Sequence, residues 1–196
     1  KPDVKILYYS GEKTIISLWE RDLETYYTKC LEHHIKYRPF FSPISIHPRI
    51  SRSMVNLSNS TKGDRVIDPF CGTGGILIEI ADMQIEAIGI DILDKMVENS
   101  VGNLKHYNLK GVVVKGDIEN ISNYDFKAIV TDPPYGLSTT TKGEGVKELM
   151  SRSMEIFTGI MKKGQRIVMA LSNPKLINSK EFKLIHKFEW YIHKSL

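Results

Sequence analysis

Short apolar blocks alternate along the chain with longer stretches in which apolar residues recur every three or four positions. The blocks Val66-Ile67, Glu86–Ile90, Val112–Val114, Ala128–Thr131 and Arg166–Leu171 read as strands, the first, fourth and fifth of them buried, and most are followed by glycine, aspartate or proline. Between them, Ile76–Ala81 is almost wholly apolar. Leu93, Met96, Val97, Val101, Leu104 and Tyr107 form a helical stripe expected to pack on the sheet. Val146, Leu149, Met150, Phe157, Ile160 and Met161 form a second stripe over Val146–Met161, ended by Lys163-Gly164; its methionines read as core filler. Repeated strand–helix alternation predicts a doubly wound α/β sheet.

The flanks read differently. Val4–Tyr9 and Thr14–Leu18, separated by Ser10-Gly11-Glu12-Lys13, have hairpin chemistry, and Glu20–His34 suits a helix or a linker. Tyr37–Arg49 is too rich in proline for a regular helix and reads as a shaped loop. Arg49–Ser58 places Ile50, Met54 and Leu57 at helical spacing, with Pro48 suited to open the helix. Phe182–Leu196 alternates apolar and polar residues, as a terminal antiparallel hairpin does. These patterns divide the chain into an N-terminal hairpin and linker, residues 1–36, and a main domain, residues 37–196. There is no internal repeat and no low-complexity tract.

Candidate chemistry collects where strands end, as ligands do in open α/β sheets. Asp68-Pro69-Phe70-Cys71-Gly72-Thr73-Gly74-Gly75 reads as strand, glycine loop and helix start. Gly72 and Gly74 let a ligand approach the backbone, and the helix start can receive a carboxylate. Such a loop suits a nicotinamide dinucleotide equally well. Asp91, with Ile92 beside it, closes the second strand about twenty residues past the first glycine of the loop, where a carboxylate accepts ribose hydroxyls. Asp117, with Ile118, follows the third strand and is placed for an adenine amine. Each aspartate serves equally as a turn or cap, but three strand ends in sequence order favour a ligand.

The fourth strand runs into Asp132-Pro133-Pro134-Tyr135-Gly136. An amine conjugated to an aromatic ring attacks carbon poorly, because its lone pair is delocalised. The Asp132 carboxylate and the Pro133 carbonyl can each accept an N–H and draw the nitrogen toward tetrahedral geometry. Consecutive prolines hold the carbonyls without offering a competing donor, and Tyr135 is suited to stack on the base. A plain turn closing a strand is the alternative.

Composition narrows the partners. The chain of 196 residues, 41% hydrophobic, has room for one substantial core. No apolar run reaches membrane-spanning length and no signal-peptide pattern opens the chain, so a cytoplasmic protein is expected. Cys30 and Cys71 form no metal-ligand spacing, and no metal is expected. The net charge of +4 is mild, but Lys36, Arg38, Arg49, Arg52, Lys142, Lys147 and Arg152 flank the motifs and allow a polyanionic substrate. Leu137–Gly145 is polar and glycine-containing, suited to a substrate loop.

The Asp132–Gly136 stretch resembles the motif of amino-methyltransferases, which use S-adenosyl-L-methionine to methylate exocyclic amines of nucleobases. Taken with Arg38-Pro39-Phe40-Phe41 and the glycine loop, it is most similar to archaeal-type tRNA guanine-N2 methyltransferases that modify position ten. The resemblance spans about Arg38 to the C-terminus. It implies a Rossmann-like class I methyltransferase sheet, mostly parallel with an antiparallel C-terminal hairpin strand. It implies catalysis at Asp132, Pro133, Pro134 and Tyr135, and cofactor binding at Asp68, Cys71, Gly72, Thr73, Gly74, Asp91, Ile92, Asp117 and Ile118. Phe40, Phe41, Arg38 and Lys142 are then expected at the RNA. The loop after Tyr37 is expected over the methionine end of the cofactor, where His47 is a contact or simply structural. Such enzymes usually carry a THUMP-containing RNA-binding region, whose trailing edge the hairpin at Val4–Leu18 would be, and an activator protein is a possible partner. Adenine-N6 methylation of DNA, and a non-catalytic RNA- or partner-binding subunit, are the competing readings.

Overall fold

The structure, a computed structural model, describes residues 31–42, 45–134, 144–177 and 180–189. The described residues form two compact units. One runs up to Asp132 and includes Arg166–Met169; the other consists of Pro133–Gln165 and the residues from Ala170 onward.

The first unit is built on a parallel five-stranded sheet: β1 (Arg65–Asp68), β2 (Glu86–Asp91), β3 (Gly111–Lys115), β4 (Ala128–Thr131) and β5 (Arg166–Met169), in the order β3-β2-β1-β4-β5. The order reverses at β1, which pairs β2 on one side and β4 on the other. Such a reversal opens a crevice beyond the carboxyl ends of the two strands that diverge there. Val66, Ile67, Ala128, Ile129 and Val130 are wholly inaccessible, as strands covered on both faces must be. Each large aliphatic side chain among them contributes roughly 1.5–3 kcal/mol as an upper bound.

Among the described residues, three helices with complete bounds belong to this unit. Helix α1 (Pro48–Leu57) starts with proline in its first turn, where the missing N–H costs nothing, and His47 caps it by accepting from Arg49 N. Helix α2 (Gly75–Asp82) follows the glycine loop and buries Ile76, Leu77, Ile78 and Ile80. Helix α3 (Asp94–His106) departs from its hydropathy stripe: it buries Ser100, Asn103 and Leu104, whereas Val101 is 47% exposed. The cause is that its inner face meets the polar backbone of the glycine loop as well as the sheet.

A charged cluster ties α1 and α2 to the segment before them. Glu79, wholly buried, receives His33 Nδ1 at 2.8 Å and Arg52 Nε at 3.1 Å. Arg52 also bonds the Glu79 carbonyl and pairs with Asp82.

In the second unit, α4 (Val146–Ile160) buries Leu149, Met150, Ser153, Met154 and Phe157. Ile160 and Met161 are only half-buried, because the helix ends there. A tight turn follows, with Gln165 N donating to Lys162 O and Gly164 at φ +92°.

The strands, and the helices at Arg49–Ser58 and Val146–Met161, fall within about two residues of the sequence expectation. The hairpin at Val4–Leu18 and most of Glu20–His34 lie outside the described residues. So does the end of the expected terminal hairpin, and its described part, 182–189, forms no strand. Among the described residues no helix is long and apolar enough to cross a membrane.

Candidate active site

Two carboxylates stand at the sheet reversal: Asp68 ends β1, and Asp132 follows β4 directly. The Asp68 carboxylate accepts from Thr131 Oγ1 at 2.6 Å and from Phe70 N at 3.1 Å. Burial pushes its carboxyl up to about 7 against those two bonds, and the charge of Asp91 adds to the rise. Asp132 lacks such support. Its Oδ1 is shielded from water and meets no donor. Burial, and then the charge of Asp68, push its carboxyl up to about 8. A desolvated, uncompensated acid at a strand end is the arrangement expected of a working group.

The glycine loop bridges the ends of β1 and β2. Cys71 N donates to Ile90 O at 3.0 Å, and Gly72 N donates to Asp91 Oδ2 at 2.9 Å. Asp91 takes a second backbone bond from Leu93 N at 3.0 Å. Its two oxygens are thus fixed in orientation, yet each has lone-pair capacity for a further donor. Burial raises the Asp91 carboxyl. Gly72, at φ +52°, has open space where a side chain would stand, a cradle for a ligand lying on the backbone. Gly74 caps α2 at φ +80°, and a Cβ there would lie 2.4 Å from Ser100 Oγ. Thr73 and Cys71 are buried, and burial drives the Cys71 thiol well up.

Asp117 caps the 3-10 turn Ile118–Asn123. Its side chain accepts from Glu119 N, while Asn120 Oδ1 accepts from its backbone N–H. Ile92 is half-buried. Ile118 is 2% exposed and belongs to the core, so any part it takes at a ligand runs through its backbone.

Arg38 lies under cover. Expected at the RNA, it is 4% exposed. Nε donates to His33 O at 3.0 Å, and Nη1 lies 2.9 Å from where a Cβ on Gly75 would sit. Burial lowers its pKa, with Tyr107 and Glu79 opposing. Nη1 and Nη2 are shielded from water and have no hydrogen-bond partner among the described residues. Phe40 and Phe41 are 43% and 64% exposed, available for stacking. Phe40 is held by a residue the sequence did not single out: Asn103, whose amide grips the Phe40 backbone and Thr73 O. Its signal was a polar residue interrupting an apolar stripe.

Pro133 is buried and Pro134 half-buried. Tyr135 and Lys142, with the loop expected around them, lie outside the described residues. Groups of three or more potential metal ligands are absent among the described residues.

The fold is that of TrmN from Thermus thermophilus, whose crystal structure matches with a TM-score of 0.59 and 20% identity over 67% of this chain and 40% of that one. In sequence, the chain is 40% identical to a tRNA (guanine(10)-N2)-dimethyltransferase of Methanothermobacter thermautotrophicus, covering 81% of this chain and 49% of the relative. It is 38% identical to the enzyme of the same name from Pyrococcus abyssi, covering all of this chain and 60% of the relative. The chain thus spans about half to three-fifths of these curated relatives. The pattern of the RMKL-like methyltransferase domain matches residues 36–190, and the chain belongs to that family.

Proposed function

We propose that the chain is the catalytic part of an S-adenosyl-L-methionine-dependent enzyme that methylates the N2 amine of a guanosine in tRNA, at position ten. The observation that carries the reading is Asp132, whose Oδ1 is shielded from water and meets no donor among the described residues, at the reversal of a methyltransferase-type sheet. The names of the relatives support the choice of tRNA and of guanine N2.

The cradle at Gly72 and the fixed oxygens of Asp91 suit the cofactor, whose sulfonium methyl group is the electrophile when bound. Asp91 holds ribose hydroxyls and Asp117 approaches the adenine. Asp132 in its carboxylate form accepts an N–H of the target amine. It takes the proton released as the methyl group arrives, a task that suits a carboxyl pushed up to about 8. Pro133, Pro134 and Tyr135 complete the amine clamp, and Phe40 and Phe41 receive the base once it is turned out of its stack, which costs a few kcal/mol. Lys142 is the remaining candidate for binding the RNA.

Residues 37–196 form the methyltransferase part and residues 1–36 the trailing edge of an RNA-binding region. A further such region or an activator protein supplies the rest of the grip on tRNA, in the cytoplasm.

The test uses the protein at its full natural length, with tritiated cofactor and unmodified tRNA transcripts carrying guanosine or adenosine at position ten, and duplex DNA as competitor. Label confined to the guanosine transcript, recovered as N2-methylated guanosine, is expected. Label on adenine N6, or calorimetry showing no cofactor binding, overturns the reading.

A further inference from the structure

We propose that Asn103 is a positioning residue that joins the glycine loop and the Phe40–Phe41 segment into one unit, so that a cofactor filling the loop orders the aromatic platform before RNA arrives. The inference rests on the site assignment above and adds an order of binding to it.

Asn103 is wholly buried on α3. Its Oδ1 accepts from Phe40 N at 3.1 Å, and its Nδ2 donates to Phe40 O at 2.6 Å and to Thr73 O at 2.8 Å. The orientation of the amide follows from these partners. Turned over, it would set a nitrogen against an N–H and an oxygen against two carbonyls. A single side chain therefore spans three segments: helix, glycine loop and aromatic loop.

Two further features lock the same joint. Gly102 leaves room for the Phe40 ring, since a Cβ there would lie 2.4 Å from Phe40 Cε2. Ser45 Oγ lies 3.3 Å from Thr73 Oγ1, a second link from the aromatic loop to the centre of the glycine loop. Thr73 is thus tied to the aromatic loop through both its carbonyl and its hydroxyl. A ligand that fixes the Gly72–Gly74 backbone lowers the freedom of Thr73, and through Asn103 that of Phe40. Linkage requires the reverse as well: RNA seated on the platform tightens the cofactor by the same factor.

A purely structural clip makes a different prediction. Removing it would lower stability while leaving any response of the loop to ligand intact. Hydrogen exchange followed by mass spectrometry, on a peptide covering residues 38–42, separates the two. S-adenosylhomocysteine is the probe, with its binding checked by calorimetry on the same sample. In the natural protein, saturating probe should slow exchange at the Phe40 amide about tenfold, within the usual range of coupling between sites. In Asn103→Ala that response should vanish while probe affinity changes less than about threefold. Asn103→Asp keeps the Oδ1 acceptor but has no donor for Thr73 O. It should retain part of the resting protection at Phe40 and lose the response.

Bound probe without any change at Phe40 in the natural protein overturns the proposal, and that arm needs no variant to fold. A full response in a folded Asn103 variant also overturns it. Failure of the natural protein to bind the probe strikes the proposed function instead.

Discussion

Glu79 and Asp132 are two acids withdrawn from water in the same unit, and they are treated in opposite ways. Glu79 is met by His33 and by Arg52, which in turn is held by Asp82. Asp132 keeps a shielded oxygen with no donor and a second carboxylate, Asp68, for a neighbour. Buried charge is costly unless compensated. Glu79 has two cations at ion-pair distance, whereas Asp132 has none among the described residues, and this contrast supports Asp132 as the working group of the proposed reaction.

The sharpest way to break this contrast is to remove the compensated acid. Glu79→Ala leaves the Arg52 guanidinium short of its partner and should cost about 3–5 kcal/mol, seen as a melting temperature lower by roughly 10 °C. A silent variant would mean that the cluster holds nothing. Asp132→Ala should do the reverse, costing no stability and reducing methyl transfer by about 100- to 1000-fold, with S-adenosylhomocysteine affinity unchanged by calorimetry. Near-normal turnover would remove Asp132 from the chemistry.

Acidity sharpens the contrast further. A carboxyl raised from its ordinary value to about 8 weakens the folded state once it ionises. Its contribution is whole below the unfolded pKa and is lost as pH climbs from there through about 8. Asp132→Asn should therefore match the natural protein at low pH and exceed it above about 8, by roughly 2 kcal/mol after solvent screening. Thermal melts across pH would read this, and curves that stay parallel would contradict the raised carboxyl. The smallest effect is expected at Asp91, whose carboxylate already has two backbone donors. Asp91→Ala should weaken cofactor binding about tenfold, or about 1.4 kcal/mol. Unchanged affinity would place the ribose elsewhere.

Much of this was legible in sequence, because strands covered on both faces must be continuously apolar and must end where polar residues begin. Ala128–Thr131 and the boundaries at Asp68 and Asp91 follow from that rule alone. The reading failed where a residue's partner comes from another part of the chain. Nothing local showed that Arg38 would be buried with its Nε on the His33 carbonyl. Ser100 and Asn103 were not singled out, because hydropathy does not foresee a helix packing against the polar backbone of a loop. Glu79 lies in an almost wholly apolar stretch, and nothing local points to His33 and Arg52 as its partners.

Cys71 sits inside the glycine loop, buried, with its thiol held protonated by burial and by the acids around it. Thiolate is the reactive form, so an alkylating reagent finds little to attack while the loop is closed over β2. Each opening exposes the sulfur. The rate at which iodoacetamide modifies Cys71 therefore clocks how often the loop breathes, a built-in reporter that needs no added label.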